Sequence, residues 1–371
     1  MERSPMGDLR CPWSAISSAK VGSVMLPVDG WAERRRVMHQ LLSGTAMTKY
    51  AEYQKEESMV LLSSYLRKPQ EWFAHNARYA NSVIYRITFG KKPEAGGNAM
   101  KNVTKAQFLF LLNAPPYNFW DCFPGLVELP KFLQWWRGTF ERAGKFTHDA
   151  YFEYYSPIKR NILEGKAPQS FARDVLLGQA KYQGSDTDKI SGHLKARADL
   201  DRVCGADAAR LPDFGDEESL PYINAFAKEI LRWRRIFVWT PEHTLTENLE
   251  FEGYYFPRGT SFVINHASIS ENPDYFEDPL SFKPERWLDG NETDLAAGSW
   301  QFGGGRRPCV GYKLAQKSIF INLSKLFYCF DFEEREPFDD KTIQHFTMGV
   351  PFPINVRSRG AKWTELIERS P

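Results

Sequence analysis

Residues 302–311 read Phe302-Gly303-Gly304-Gly305-Arg306-Arg307-Pro308-Cys309-Val310-Gly311 and place one cysteine on a glycine-rich loop. Glycine adopts backbone conformations with positive φ and lets a flat ligand approach the main chain closely. After Gly311 apolar residues recur at three- to five-residue spacing, which predicts a helix that starts just behind the cysteine. The dipole and the free N–H groups at a helix N-terminus stabilise negative charge. The pattern therefore predicts that Cys309 can carry a thiolate.

The neighbours of this cysteine favour a cofactor that contains a metal. Arg307 offers a permanently charged fork that suits a carboxylate. A thiolate beside such an arginine fits a haem, whose iron takes an axial ligand and whose propionates take cations. Two other interpretations start from the same residues, since a lone cysteine is usually a small buried hydrophobe and a glycine run before a helix can bind phosphate. The G-x-x-x-x-G-K-[ST] spacing of a phosphate loop is absent, so a haem is favoured.

Three motifs, in the same order along the chain, resemble those of the cytochrome P450 family. The loop matches F-x-x-G-x-R-x-C-x-G at every fixed position, Glu229-Ile230-Leu231-Arg232 resembles E-x-x-R, and Phe282-Lys283-Pro284-Glu285-Arg286-Trp287 resembles P-E-R-[FW]. An E-x-x-R alone is a weak signal, because ion pairs three residues apart occur on many helices. The three together are specific, and the surrounding sequence resembles fungal P450s of secondary metabolism. The resemblance implies a mainly α-helical fold with a small β region, haem b as cofactor and monooxygenase activity.

The resemblance also assigns roles to individual residues. Cys309 is the metal ligand, and Glu229 and Arg232 pair with Arg286 in a structural charge triad. Beyond Cys309 no catalytic residue is assigned. The family's haem-binding positions fall on Trp31, Arg35, His243, Phe302, Arg307, Cys309 and Gly311.

Two of the haem-binding assignments leave alternatives open. Residues 31–35 resemble W-x-x-x-R, and the i,i+4 spacing puts the indole and the guanidinium of Arg35 on one helix face. The alternative is an exposed basic helix start, since three arginines run together at 34–36. His243 falls where many family members place a propionate contact, and the alternative is a surface histidine.

Composition narrows the class of protein. The chain has 371 residues, 42% of them hydrophobic, and no linker or repeat, so we expect a single domain over residues 1–371. A net charge of +2 does not indicate the strongly basic surface that nucleic-acid-binding proteins carry. The five cysteines are scattered, which argues against a disulfide scaffold. The resemblance implies the endoplasmic reticulum membrane, but no apolar stretch is long enough to span one, so we expect a peripheral or cytoplasmic protein.

Hydrophobic periodicity supports a mostly helical chain. Residues 245–265 instead show strand and turn patterns. Residues 111–135 are rich in aromatics and prolines, and the resemblance places them in a substrate-access region. Helices are predicted near residues 31–43, 48–66, 70–89, 134–164 and 217–234.

Two parts of the family fold are expected to be missing. The resemblance begins only near the helix that precedes Trp31, so the N-terminal anchor and sheet have no counterpart. The long central helix with its A-G-x-[DE]-T motif has none either, because residues 178–194 form only a short polar stretch. Gly184-Ser185-Asp186-Thr187 looks like part of that motif, but its polar flanks favour a loop or a helix cap. The acid and threonine that deliver protons to oxygen are therefore expected to be absent.

These observations lead to three hypotheses about function. The first is a monooxygenase that inserts one oxygen atom from O2 into a lipophilic small molecule, with electrons from NADPH-cytochrome P450 reductase. The alternative is a truncated relative, a splice or gene-model product, that binds haem without turnover. The third is an inactive chain that binds nothing.

Overall fold

The structure is a computed structural model that separates the chain into two compact units. The first unit contains Met1–Met38, Pro93–Gln169 and Val238–Asn265, and the second contains His39–Lys92, Ser170–Phe237 and His266–Pro371. The residues that the structure describes are 45–90, 98–113, 129–164, 193–235, 237–240, 242–289, 293–305, 308–336 and 353–370, with short pieces at 6–7, 35–36, 38–39, 42, 92, 123 and 126.

Helices and strands are numbered in chain order. The helices are α1 (Thr45–Arg67), α2 (Trp72–Phe89), α3 (Asn98–Asn113), α4 (Arg137–Leu163), α5 (His193–Cys204), α6 (Pro221–Trp233), α7 (His266–Ser270), α8 (Tyr312–Cys329) and α9 (Ala361–Arg369). The strands are β1 (Met6–Gly7), β2 (His243–Leu245), β3 (Leu249–Phe251), β4 (Tyr254–Phe256), β5 (Ser261–Phe262), β6 (Phe330–Glu334) and β7 (Ile354–Ser358). Short 3-10 turns cover Pro69–Glu71, Lys131–Leu133, Phe214–Ser219 and Pro284–Trp287.

The second unit is built around α8. Its side chains Phe320 and Tyr328 are fully buried, and α1 contributes the buried Leu61 and Leu62 to the same core. The helices α1, α5 and α6 all pack against α8. The chain leaves α8 directly into β6, which pairs antiparallel with β7. This packing fixes the helix that follows Cys309 on several sides.

The helix that carries the E-x-x-R motif begins later than the sequence pattern predicts. The prediction spans residues 217–234, whereas α6 runs from Pro221 to Trp233. Residues 217–219 lie in a 3-10 turn that starts behind Asp213, whose side chain accepts the Phe214 N–H at 2.8 Å. A residue before proline is pushed out of the helical region, and Leu220 has φ −123° and ψ 52°. Pro221 therefore sets the helix start.

The described part of the first unit contains two helices and two small sheets. Helices α3 and α4 pack against each other, and the three-stranded sheet has the order β1-β2-β5 with antiparallel pairs. Strands β3 and β4 form a hairpin in which Phe251 pairs with Tyr254. Its two-residue turn has positive φ at both Glu252 and Gly253, the conformation that matches the right-handed twist of paired strands.

The mainly helical fold with a small β content confirms the predicted fold class. The helices predicted near 48–66, 70–89 and 134–164 correspond to α1, α2 and α4. The central stretch at 178–194 and most of the helix predicted near 31–43 lie outside the described residues. A single domain over residues 1–371 stays a prediction. Among the described residues, no helix is long and apolar enough to cross a membrane.

A buried lysine on α8 predicts an unusual pH dependence of stability. Lys325 is 5% exposed, and its Nζ donates to Ser58 Oγ at 2.7 Å and lies 3.3 Å from Met59 Sδ. Burial lowers the pKa of this ammonium from 10.5 to about 8, against an opposing effect of the Asp213 carboxylate. The unfolded chain thus holds this proton up to a higher pH than the folded chain does. Folding is penalised fully below the folded pKa, and the penalty fades as the pH rises toward the unfolded value.

We expect Lys325→Met to raise the free energy of unfolding at pH 7 by about 2–3 kcal/mol. The gain should shrink as the pH rises above 8, which urea titrations at several pH values would measure. Ser58 keeps its own bond to Lys55 O at 2.6 Å, so the variant leaves no new unpaired hydroxyl. The exposed Lys362→Met is the control and should change stability by less than about 0.5 kcal/mol. A destabilised Lys325→Met protein would contradict the prediction.

Candidate functional site

The predicted cysteine loop is closed by its own backbone. The Cys309 N–H donates to Phe302 O at 2.6 Å, and the Gly303 N–H donates to Trp300 O at 2.9 Å. The Phe302 ring is half-buried and packs against the buried cluster of Ala227, Leu231 and Leu295. The two ends of the loop are therefore held together, with one end anchored in the core.

The thiol of Cys309 is exposed, and it lies three residues before α8. The first N–H groups of a helix have no intrahelical acceptor and form the positive end of its dipole, and α8 begins at Tyr312. Cys309 Sγ lies 4.0 Å from the position that a Cβ on Gly311 would take. The sulfur is thus placed beside the positive end of the α8 dipole.

The other described cysteines behave differently. Cys204 and Cys329 are buried, and burial raises the pKa of each thiol to about 12. Both are therefore neutral packing residues at physiological pH. The buried-hydrophobe alternative fits these two cysteines and does not fit the exposed Cys309.

One glycine of the loop, Gly305, leaves room for a flat ligand. Gly303 and Gly305 have φ of 73° and 63°, a region that favours glycine. A Cβ added at Gly305 would meet no heavy atom of the described residues within 4 Å, whereas one at Gly304 would lie 3.0 Å from Trp300 Cζ3. An exposed thiol beside an open glycine backbone fits the ligand set that a haem requires.

The structure brings the three residues of the predicted charge triad together. Arg232 binds Glu229 through two parallel bonds, Nη2 to Oε1 at 2.7 Å and Nε to Oε2 at 2.9 Å. Arg286 Nε donates to the same Oε1 at 3.3 Å. The Glu229 carboxylate is completely buried. Because the carboxylate is buried, its removal would leave the charges of the two arginines uncompensated.

Two further donors to Glu229 were not assigned from the sequence. The Lys283 N–H donates to Oε1 at 2.8 Å, and the indole of Trp287 donates to Oε2 at 2.9 Å. Trp287 is the aromatic position of the P-E-R-[FW] motif, so that motif held the signal for it. The ring of Trp287 also lies 4.9 Å from the Lys228 ammonium.

Arg232 also fixes the chain between α7 and the P-E-R-W turn. Its Nη1 donates to Ser270 O at 2.8 Å and to Pro279 O at 2.7 Å, and its guanidinium lies 5.2 Å from the Phe276 ring. Arg286 Nη1 donates to Glu277 O at 2.9 Å. The triad thus ties α6 to residues 270–287, which lead on toward the cysteine loop.

The remaining predicted cofactor contacts are only partly described. Trp31 and Arg307 lie outside the described residues. Arg35 belongs to the first unit and lies in a short helical piece, half-buried. His243 begins β2 in the same unit, opposite Phe262 of β5, and is half-buried. Their contacts to a haem stay predictions.

Comparison with known proteins agrees with this geometry. Residues 193–355 match the family model for cytochrome P450. The cytochrome P450 monooxygenase verL of Clonostachys rogersoniana is 28% identical over 91% of this chain and 72% of its own length. The cytochrome P450 monooxygenase fogE of Aspergillus ruber is 25% identical over 92% of this chain and 73% of its own.

A solved structure supports the fold independently. A zebrafish cytochrome P450 solved with progesterone superimposes with a TM-score of 0.71 over 96% of this chain and 89% of that one, at 17% sequence identity. At that identity the likeness concerns the fold alone. With the ordered motifs and the fungal relatives, it supports a likeness of this chain to the cytochrome P450 family, whose members are monooxygenases that use haem b.

Proposed function

We propose that this protein inserts one oxygen atom from O2 into a lipophilic secondary metabolite, and that Cys309 Sγ would hold the iron of its haem. NADPH-cytochrome P450 reductase supplies the electrons. The observation that supports this proposal most directly is the exposed thiol of Cys309, which lies beside a glycine-rich loop and just before a long helix. When bound, the haem supplies activation of O2, and its thiolate ligand favours cleavage of the O–O bond.

The protein's own residues prepare the ligand. Cys309 would hold the haem iron through Sγ, and the thiol lies at the N-terminal end of α8, where the helix dipole favours negative charge. The Cys309 N–H is already used by Phe302 O, so the loop holds the sulfur in place from the backbone side. Glu229, Arg232 and Arg286 act at a distance by fixing residues 270–287, and they are structural in this proposal.

A second candidate is a haem protein with impaired turnover. The sequence between residues 178 and 194 is short and polar, and it lacks the A-G-x-[DE]-T motif that supplies protons in the family. Without that acid and threonine, haem binding through Cys309 can persist while oxygen transfer fails.

One pair of measurements separates the two candidates. The reduced, carbon-monoxide-bound spectrum of the full chain with haem tests the thiolate ligand. Oxygenated products, formed from a panel of lipophilic compounds with reductase and NADPH, test turnover. A thiolate Soret band with products supports the monooxygenase, and the band without products supports the second candidate. No thiolate band would overturn both.

We also propose that the protein associates peripherally with a membrane, as the family's location at the endoplasmic reticulum suggests. Phe132 and Trp135 are 83% and 79% exposed, and Leu133 lies between them, half exposed. Lys131 in the same turn adds a positive charge that suits anionic headgroups. Flotation with phosphatidylcholine vesicles containing phosphatidylserine tests this. A protein that stays wholly at the bottom of the gradient would overturn it.

A further inference from the structure

A buried glutamine on α1 forms a hydrogen bond to the first turn of α8, the helix that follows Cys309. Gln54 is fully buried, and its Nε2 donates to Leu314 O at 3.1 Å and to Ser318 Oγ at 2.8 Å. A carbonyl can only accept, so the amide nitrogen must be the atom that faces α8. Leu314 is the third residue of α8. The bond therefore fixes the end of α8 that lies nearest the thiol.

A second glutamine ties the next turn of α8 to the chain that leads into the loop. Gln316 on α8 is 5% exposed, and its Nε2 donates to Thr293 O while its Oε1 accepts the Leu295 N–H at 3.5 Å. Both sides of the amide are thus used, and their orientation is determined by the two backbone groups. Leu295 belongs to the small buried cluster against which Phe302, the first residue of the loop, packs.

The position of Cys309 depends on two anchors, the Phe302 carbonyl before it and the start of α8 after it. Gln316 links these anchors through Thr293 and Leu295, and Gln54 secures α8 against α1. We propose that Gln54 and Gln316 are positioning residues that hold the N-terminus of α8 under the Cys309 sulfur. This inference rests on the proposed role of Cys309 as the haem ligand.

A neutral amide suits this task better than a charged group. A buried charge at either position would need a compensating partner, whereas an amide supplies directional hydrogen bonds without net charge. Methionine has a similar shape but makes none of these bonds. At position 316 it would leave Thr293 O and the Leu295 N–H buried without their side-chain partner. The start of α8 would then shift relative to Cys309.

The experiment measures how much of the bound haem keeps a thiolate ligand. The full chain, Gln316→Met and Gln54→Met are loaded with haem, reduced and exposed to carbon monoxide, at a temperature where circular dichroism shows each protein folded. We expect each variant to show about a threefold larger ratio of the neutral-thiol band to the thiolate band.

The control is Gln134→Met in the first unit. Gln134 is also buried, and its amide donates to a backbone carbonyl, Leu129 O, at 2.6 Å. The same chemical change there should leave the band ratio unchanged. If both test variants keep the ratio of the unaltered protein, or if Gln134→Met shifts it equally, the inference fails while the proposed function stands. If the unaltered protein shows no thiolate band, the proposed function fails first.

Discussion

Replacing Cys309 with serine is expected to abolish the thiolate Soret band of the reduced, carbon-monoxide-bound protein. The side chain is exposed and fills no packing space, so the variant should fold with a change in stability of less than about 0.5 kcal/mol. A serine hydroxyl does not give up its proton near neutral pH, and the α8 dipole contributes too little to change that. The measurement is the difference spectrum, with haem content determined in parallel.

The matched control for this change is Cys204→Ala. Cys204 is 2% exposed, and burial raises the pKa of its thiol to about 12, so it cannot serve as a thiolate at neutral pH. Loss of its sulfur should cost about 1 kcal/mol of packing and leave the band intact. A Cys309→Ser protein that keeps the band would show that another group holds the iron. A Cys204→Ala protein that folds but loses the band would contradict the assignment just as directly.

The parts of the site that the sequence predicted are those with short, fixed spacing. Glu229 and Arg232 are three residues apart, and such residues are neighbours on any helix. The glycine loop likewise constrains the backbone through residue type alone, and Gly303 and Gly305 do have positive φ. Both predictions therefore depend only on residue types and spacing within a short stretch of sequence. The meeting of Arg286 with Glu229 came only from the family resemblance, because their bond joins residues far apart in the sequence.

The end of α8 shows why other features escaped prediction. No glycine or proline lies near the junction of Cys329 and Phe330, where the helix changes into a strand. The aromatic residues around this junction suit a helix or a strand equally. The C-terminal end of α8 is hydrogen-bonded by the side chain of Arg197. This guanidinium donates to Phe327 O at 3.3 Å and Phe330 O at 2.7 Å, and binds Asp331 at 2.7 Å. A cap supplied by a residue so distant in sequence leaves no local signal.

The glutamines and the buried lysine were missed for a related reason. Gln54, Gln316 and Lys325 are polar, and polar residues on a helix are normally assigned to its exposed face. Their burial depends on how α1 and α8 pack and on which backbone groups come into reach. A hydrophobic pattern cannot contain that information. These residues therefore became visible only in three dimensions.

Replacing Glu229 with leucine is expected to destabilise the protein by about 3–5 kcal/mol. The change removes the carboxylate and leaves the guanidiniums of Arg232 and Arg286 facing each other with little water between them. The Trp287 indole and the Lys283 N–H would lose their acceptor as well. Urea titration followed by circular dichroism would measure the loss.

A milder variant and a matched control keep this prediction testable. Arg286→Met removes the longer bond at 3.3 Å and leaves the Arg232 pair intact, so it should cost clearly less than Glu229→Leu. The control is Arg202→Ala, which breaks the pair of Arg202 with Asp199. That pair has the same i,i+3 spacing as Glu229 and Arg232, but Arg202 is 60% exposed, so its loss should cost less than about 1 kcal/mol. Equal losses for Glu229→Leu and Arg202→Ala would mean that burial adds nothing to the triad. Its role would then reduce to that of any ion pair on a helix surface.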